Sequence, residues 1–284
     1  MVRATRVPSD TSLLGWILAL APLAGIAWHV AGTPSTVVLG ALFPALCLLG
    51  LLLWIAHAAH VRLRPPLAVF ALVWGAGVAA TAAALVNDLL QARLGTGGWP
   101  LTVTGVPALE EAAKAGVLVA LIALWPTEVR GLRAGIVIGG FIGLGFGVAE
   151  NVGYFLLAGV QEGPAGLVRA IAIRGFLEGA VHPVFAASTG AGFGVARAMG
   201  RHRALRGFLG FGAAVAQHAL WNGVASPAVS GILCNGIGPS GACRGSPDIY
   251  QLFVAVPLVV SAALAPGVLT LAALARRAGS PAST

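Results

Sequence analysis

Stretches of about 20 mostly apolar residues follow one another along nearly the whole chain, and each is long enough to cross a bilayer as a helix. Of the 284 residues, 58% are hydrophobic and 9% are charged. Inside a membrane every backbone polar group must be bonded within the protein, which leaves helices and closed barrels as spanning structures. We therefore predict an all-α, polytopic transmembrane helix bundle that forms one domain over residues 1–284. Its eight spans lie at about 13–31, 36–57, 67–90, 104–125, 134–158, 166–196, 207–232 and 250–274.

The basic residues indicate how this bundle is oriented. The formal net charge is +8, but the basic side chains lie between the spans and form no run interleaved with aromatic residues, so no nucleic-acid partner is expected. One side of an eight-span bundle collects Arg3, Arg6, Arg62, Arg64, Arg130, Arg133, Arg197, Arg201, Arg203, Arg206, Arg276 and Arg277. The other side has Arg93, Arg169 and Arg244. The positive-inside rule then predicts that both termini are cytoplasmic.

Three charged residues interrupt the fourth span, which contains Glu110, Glu111 and Lys114. On insertion scales a charge at the centre of a span costs roughly 3 kcal/mol, so charges in this position call for partners or a function. Glu110 precedes Lys114 by four residues, the favourable order for a helical ion pair, which leaves Glu111 to face another partner. The alternative is a helix end at the interface, where these side chains reach the headgroups.

The fifth span adds Glu150 after a stripe of glycines. Gly139, Gly143 and Gly147 are spaced by four and share one helix face, where small residues let helices approach closely. Glu150 follows Gly147 by three residues, so we expect it to point into the bundle. The alternative is a structural carboxylic acid that bonds a neighbouring helix.

The sixth and seventh spans add two histidines. Arg174, Glu178 and His182 are spaced by four, which places them along one face and lets Arg174 neutralise Glu178. Pro183 removes a helical hydrogen bond and predicts a kink beside His182. His218 and Asn222 are one turn apart in the next span. A plain hydrogen bond between neighbouring helices is the alternative role for each histidine.

We predict that these four spans form a catalytic core, residues 104–232, around a single site. Because His29, His57, His60 and Asp88 lie near span ends, interfacial exposure explains them, and they are not assigned to the site. At 1.5 Å per residue, the acids of the fourth and fifth spans lie roughly 10 Å below the non-cytoplasmic end. The two histidines come nearer to mid-membrane, so the sequence leaves the acids and the histidines several ångströms apart in depth.

Two imidazoles together with carboxylates suit two kinds of peptide hydrolysis. In the first, the residues hold a zinc ion with an open position for water; in the second, a glutamate activates water without a metal. The sequence has neither a His-Glu-x-x-His pair nor a Gly-x-Ser-x-Gly elbow, so the soluble zincin and serine-hydrolase motifs do not apply. The alternatives from other classes are a proton-coupled transporter that uses the same residues as a relay and a scaffold without catalysis.

Together the motifs resemble those of the PrsW family of intramembrane proteases. They are Glu110-Glu111-x-x-Lys114, Glu150-Asn151-x-x-Tyr154, His182 after Arg174, and His218-x-x-Trp221-Asn222. The resemblance covers about residues 105–225 and extends more loosely to the CAAX-processing and bacteriocin-protection membrane proteases, which share a Glu-Glu motif and two later His motifs.

This resemblance implies a membrane-embedded endopeptidase, in the membrane of a bacterial cell, that cuts a membrane-anchored protein. The founding members of the family cut an anti-sigma factor, so such a factor is the implied substrate. By motif, Glu110 and Glu111 are the catalytic acids, Asn222 assists the oxyanion, and His182 and His218 bind a metal such as Zn²⁺ or polarise water. Glu150 is the implied third metal ligand.

Two predictions concern the cysteines. Cys47 falls in the middle of the second span, where a small buried hydrophobic residue is expected. Cys234 and Cys243 fall in the last non-cytoplasmic loop, where a disulfide is one alternative and two free thiols are the other.

Overall fold

The computed structural model describes residues 13–94, 100–198, 202–236 and 245–277, and every regular element within these ranges is a helix. Cys243 lies outside the described residues, so its pairing with Cys234 stays a prediction. The α-helices are α1 (Leu13–Val30), α2 (Ser35–Ala58), α3 (Pro65–Trp74), α4 (Ala80–Leu94), α5 (Val106–Leu124), α6 (Leu132–Ala170), α7 (Val181–Ala198), α8 (Arg203–Leu220), α9 (Ser226–Leu233) and α10 (Val256–Arg277).

Five short π-helical turns extend or join these helices, so that several consecutive elements form one continuous rod. They are Gly75–Ala79 between α3 and α4, Leu101–Gly105 before α5, Ile171–Leu177 after α6, Trp221–Ala225 between α8 and α9, and Gln251–Ala255 before α10. Pro65 and Pro66 lie in the first turn of α3, where a missing N–H costs no helical hydrogen bond. Pro107 and Pro227 are the second residues of α5 and α9, which continue from π turns, so each removes a hydrogen bond within a rod. The rods begin and end within several residues of most predicted spans, but the predicted sixth span, 166–196, is interrupted at residues 178–180 and its first part continues from α6.

Four helical stretches within the described residues are long and apolar enough to cross a membrane. They are Ser35–Ala58, Pro65–Arg93, Leu132–Ala198 and Gln251–Arg276. The chain is thus a helical membrane protein, as predicted. The count of eight spans and the cytoplasmic position of both termini stay predictions. One of the four stretches has 67 residues, about three times the length that a single crossing needs.

That long stretch turns back on itself at Gly163. The backbone there has φ +68° and ψ −162°, a conformation that a residue without a Cβ adopts at little cost. Beyond it, α6 continues to Ala170 and then through Ile171–Leu177. The helix is interrupted at residues 178–180, and α7 then packs against the first part of α6. Pro183 lies in the first turn of α7, which agrees with the predicted break beside His182.

The glycine stripe of α6 is the surface on which α7 packs. An added Cβ at Gly135, Gly139 or Gly143 would overlap a backbone carbonyl of α7, so the two backbones are nearly in contact. The facing residues are Gly135 with Gly190, Gly139 with Ala186, and Gly143 with His182. Because the number on α7 falls as the number on α6 rises, the helices are antiparallel. The stripe places the first turn of α7, with its histidine, beside the middle of α6.

The outer helices turn large apolar side chains away from the protein. On α2, Leu39, Leu46 and Trp54 are each more than 60% exposed, as expected for a helix that faces lipid. Cys47 is exposed on the same helix, so the prediction that it is buried was wrong. Position within a span does not indicate which way a residue faces, because a lipid-facing helix is apolar all round.

Candidate active site

A cavity of about 500 Å³ lies among the helices that carry the polar motifs. Five of the six predicted site residues line this cavity, and the sixth, Glu111, is fully buried behind its wall. The five are Glu110, Glu150, His182, His218 and Asn222. The structure thus brings the predicted residues of four helices together at one place.

Glu110 and Glu111 face different surroundings because consecutive residues of a helix point about 100° apart. Glu110 faces the cavity. Glu111 faces α7 and α8, where its Oε1 accepts hydrogen bonds from Lys114 Nζ at 2.7 Å and from His218 Nδ1 at 3.0 Å. Lys114 Nζ is also 3.9 Å from Glu110 Oε2, so the expected ion pair of these two residues is present. The closer contact of the lysine is with Glu111, and this second pairing was not predicted.

The hydrogen bond from His218 to Glu111 determines the tautomer of this histidine. A carboxylate oxygen only accepts, so Nδ1 carries the hydrogen and Nε2 keeps a lone pair. That Nε2 is 3.8 Å from Glu110 Oε2. Phe185 stacks on the imidazole with ring centroids 4.9 Å apart, which holds the plane of the ring. His218 therefore presents a free nitrogen to the cavity beside Glu110.

His182 is bonded at both ring nitrogens. Lys114 Nζ lies 3.0 Å from its Nδ1, and because an ammonium only donates, Nδ1 is the acceptor. Nε2 then carries the hydrogen and donates to Glu150 Oε2 at 2.6 Å. Gly147 makes room for this ring, since a Cβ there would lie 3.3 Å from His182 Cδ2. Gly147, the last glycine of the stripe, thus forms the surface against which the imidazole of His182 packs.

Glu150, in the fifth predicted span, contacts two residues of the sixth, His182 and Arg174. Its Oε2 also accepts from Arg174 Nη2 at 2.9 Å, and the Arg174 guanidinium lies 3.5 Å from the centroid of the Tyr154 ring. Arg174 Nη1 is also 3.8 Å from Glu178 Oε2, so the expected ion pair of these two residues is present. The closer contact of Arg174, with Glu150 on the first part of α6, was not predicted.

The predicted difference in depth between the acids and the histidines is not observed. His218 is hydrogen-bonded to Glu111 and His182 to Glu150 at the distances given above, so all four lie at one level. The prediction counted residues along uninterrupted straight spans. In the structure α7 begins anew at Val181, after the break at residues 178–180, which changes the level at which His182 enters the bundle.

The geometry of three residues suits a metal ion. Glu110, His182 and His218 each offer a ligand atom, and these atoms lie within 4.8 Å of one another. Glu110 Oε2 is buried and has no hydrogen-bond partner within the described residues. Two histidines and one glutamate are also a known ligand set of catalytic zinc. The structure thus groups Glu110 with the two histidines, whereas Glu150, the predicted third ligand, is hydrogen-bonded to one of them.

The charges around this group also suit a cation. Four carboxylates of the described residues lie within the cluster, against two basic side chains. The carboxylates belong to Glu110, Glu111, Glu150 and Glu178, and the basic groups to Lys114 and Arg174. If all are ionised, two negative charges remain uncompensated in a low-dielectric setting, which either protons or a divalent cation would balance. The residues present therefore fit a divalent metal.

The cavity extends to residues that were not assigned to the site. His29 and Asp88 line it, together with Asn87 and Gln91 from the same turn of α4 as Asp88. His29 Nε2 and Asn87 Oδ1 are buried and have no hydrogen-bond partner in the described part of the chain. Attributing His29 and Asp88 to interfacial exposure overlooked this contact. Asn87 and Gln91 are four residues apart, as are His218 and Asn222. The same spacing in the sequence could therefore have predicted that Asn87 and Gln91 share a helix face.

Asn222 lies in the π turn Trp221–Ala225, directly after α8. Its Nδ2 donates to the carbonyl of Thr102 at 3.3 Å, in the π turn that precedes α5. The amide is thus at the cavity wall but does not contact the carboxylates. Three π turns contribute residues to this cavity, and such turns are frequent at functional sites because they change the direction of a side chain within a helix.

A comparison with protein families finds one model that matches residues 64–262, about two thirds of the chain, and its description is "PrsW family intramembrane metalloprotease". The match includes all of the residues that line the cavity from α4 to α9. None of the curated proteins and none of the solved structures shows a significant match.

Proposed function

Because this chain belongs to the PrsW family of intramembrane metalloproteases, we propose that it cuts a membrane-anchored protein by means of water activated at Glu110. The observation that carries the proposal is the position of Glu110 Oε2. This atom is buried, has no hydrogen-bond partner among the described residues and is 3.8 Å from His218 Nε2 at the cavity wall. A carboxylate so placed can take the proton of a water molecule in the cavity and return it to the leaving amine.

Glu111 has a different role in this proposal. It does not line the cavity, and its Oε1 is occupied by Lys114 and His218. A carboxylate behind a histidine orients the ring and stabilises any positive charge that develops on it. We therefore assign Glu111 as the positioning residue for His218 and Glu110 as the acid that contacts water.

If a metal is bound, Glu110, His182 and His218 would hold it, and Glu110 would then be a ligand of the ion instead of the base. The ion would supply an activated water and polarise the scissile carbonyl. His218 already has a lone pair on Nε2. His182 would bind the ion through Nδ1 only without its bond to Lys114, or through Nε2 only if the ring hydrogen is on Nδ1 instead. Glu150, held by Arg174, is the group that binds the Nε2 hydrogen in this structure.

The wall of the cavity formed by α4 suits an unwound substrate. A transmembrane helix must open locally before its backbone can be cut, and each freed N–H and C=O then needs a partner, because lipid offers none. Asn87 and Gln91 provide donors and acceptors along this wall, and His29 of α1 and Asn222 line the same cavity. We propose that these side chains bind the extended backbone and that Asn222 stabilises the oxyanion.

The substrate class rests on the family alone. A membrane-anchored anti-sigma factor in a bacterial cell membrane is the specific proposal, and the family match supports a protease in general terms. The transporter alternative gains no support from this match. The eight-span topology, with the 104–232 segment as catalytic core and both termini cytoplasmic, belongs to the same proposal.

The test is cleavage in liposomes. The full-length protein and a single-pass anti-sigma factor from the same organism are reconstituted together, and products are identified by mass spectrometry. Glu110→Gln keeps the shape of the side chain but removes the base, so cleavage should fall about 10²–10⁴-fold. Glu162→Gln, at an exposed acid that pairs with Arg169 away from the cavity, is the matched control and should cleave normally. Wild-type cleavage by folded Glu110→Gln would refute the proposal.

Whether the chemistry needs a metal is a separate measurement. Metal content of the purified protein, by plasma mass spectrometry before and after treatment with a chelator, is compared between the wild type and His218→Ala. If the three residues hold an ion, the wild type contains about one per chain and the variant loses it. An equal and negligible content in both would indicate glutamate chemistry without a metal.

A further inference from the structure

A second polar cavity, of about 610 Å³, shares no lining residue with the candidate active site. It lies where α2 ends and α3 and α6 begin, and we refer to it as the basic cavity. Among the described residues, its charged lining consists of Arg62, Arg130 and Arg133 and one carboxylate, Glu128. That carboxylate is already bound by Arg64, whose Nε is 3.0 Å from Glu128 Oε1. The basic cavity therefore has an excess of positive charge.

The three arginines of the basic cavity have no carboxylate partner among the described residues. Arg62 and Arg130 are exposed, and Arg133 is half-buried. Arginine side chains collected in one concave site favour an anion with several oxygens, because the planar guanidinium donates in pairs to phosphate. The ligand of this cavity should thus carry a phosphate or a similar group.

An apolar groove continues from the basic cavity along the outside of the bundle. Its volume is about 410 Å³, and its walls come from α2, α6, α7 and α10. Arg133 is the only charged residue that lines the groove in the described part of the chain. Ala59 and Arg133 line both spaces, so they meet there. Arg133 is held at this junction by the carbonyls of Ala275 and Ala59, to which it donates at 3.2 and 3.3 Å.

The dimensions of the groove correspond to one leaflet of a bilayer. It follows α2 from Leu48 to Ala59, which at 1.5 Å per residue is about 16 Å. The hydrocarbon core of a bilayer is about 30 Å thick, so this length is about half of it. Because the groove ends near the middle of a bilayer, a single acyl chain suits it better than a peptide that crosses the whole membrane.

We propose that the basic cavity and the apolar groove together bind one anionic phospholipid. The phosphate is held by Arg62, Arg130 and Arg133, and one acyl chain lies in the groove between α2 and α10. Basic pockets between transmembrane helices are known to take anionic headgroups. Because Pro183 and Val184 of α7 also line the groove, the acyl chain packs directly behind the turn that carries His182.

The test is retention of defined lipids by the full-length protein, measured by native mass spectrometry after exchange into detergent. Dioleoyl-phosphatidylglycerol is compared with dioleoyl-phosphatidylcholine, which has the same chains but no net charge. We expect preferential retention of one phosphatidylglycerol. Arg62→Gln and Arg130→Gln should each weaken it about fivefold, the ratio that corresponds to about 1 kcal/mol per basic residue. Arg93→Gln, which removes an exposed charge outside the basic cavity, is the control and should have no effect.

A second variant tests the groove without changing any charge. Ala272→Phe places a ring among the residues that line the groove and should lower retention of dioleoyl-phosphatidylglycerol. Glycerol 3-phosphate, which has the headgroup phosphate but no chains, should bind far more weakly than the lipid. Equal retention of the two lipids, equal effects of Arg93→Gln and Arg130→Gln, or unchanged retention in Ala272→Phe would overturn the proposal. Strong binding of glycerol 3-phosphate would instead indicate a site for free phosphate.

Discussion

The inner helices, α5 to α8, bury charged residues among their apolar ones, whereas the outer helices, α1, α2 and α10, bury no charged residue within the described part of the chain. In the inner group, Lys114 and Glu111 are 1% and 0% exposed. In the outer group, large apolar residues such as Leu39 and Trp54 face outward. A bilayer is as apolar as leucine, so burying leucine here gains little. The interior is therefore available for small residues, which let helices approach, and for charges that compensate one another.

The charges of Lys114 and Glu111 are stabilised because each has more than one partner. Lys114 donates to Glu111, contacts His182 and lies 3.9 Å above the ring of Phe146. A buried charge with one partner removed is far costlier than an exposed one, because the remaining charge has no water to solvate it. The difference between the two regions thus predicts how each responds to substitution.

The largest effect is expected for Lys114→Met. This change leaves the Glu111 carboxylate buried without its cation and should lower the free energy of unfolding by about 3–5 kcal/mol. Arg64→Met breaks an ion pair whose arginine is mostly exposed, and should cost at most about 1 kcal/mol. Reversible unfolding in mixed micelles measures both. Equal losses in the two variants would show that the inner cluster is no different from a surface pair.

Glu111→Gln should affect the reaction more than the fold. The substitution keeps the shape of the side chain but weakens the orientation of His218, so kcat should fall about 10–100-fold with little change in KM. This loss is smaller than that expected for Glu110→Gln. Kinetics of substrate cleavage in liposomes distinguish the two variants. If Glu111→Gln lost more activity than Glu110→Gln, the assignment of which acid contacts water would be reversed.

Gly139→Ala tests the close approach of α6 and α7. Its new Cβ would overlap the backbone carbonyl of Ala186, which can move only with the whole helix, so a loss of about 1–3 kcal/mol is expected. Gly116→Ala in α5 meets open space and should be neutral or stabilising by up to about 1 kcal/mol. The same unfolding assay applies. If Gly139→Ala left the free energy of unfolding unchanged, α6 and α7 could move apart at no cost.

The smallest effect is expected at the outer surface. Leu39→Ala exchanges one lipid-facing apolar side chain for another, and the free energy of unfolding should change by less than about 0.5 kcal/mol. A loss comparable to that of Gly139→Ala would indicate that α2 is covered by protein at this position rather than by lipid.

Much of the helical architecture was predictable, and the reason is the strength of the apolar signal. Runs such as Ser35–Ala58 exclude other structures in a bilayer, so their ends were predicted within a few residues. The convergence of Glu110, Glu150, His182 and His218 was also predictable, because each departs from an apolar background. His29 and Asp88 were missed because residues near span ends have an easier explanation in the headgroup region.

The amino-acid sequence by itself determined that the chain forms membrane helices and that four of them carry the reactive groups, since both follow from polarity along the chain. Only the tertiary structure decided which groups meet. Lys114 pairs with Glu111 in addition to Glu110, and Arg174 with Glu150 in addition to Glu178. The contact between Arg174 and Glu150 depends on how two helices pack against each other. The position at which His182 meets Glu150 depends likewise on the break before Val181. Spacing along a helix specifies which residues share a face, but packing decides what that face contacts.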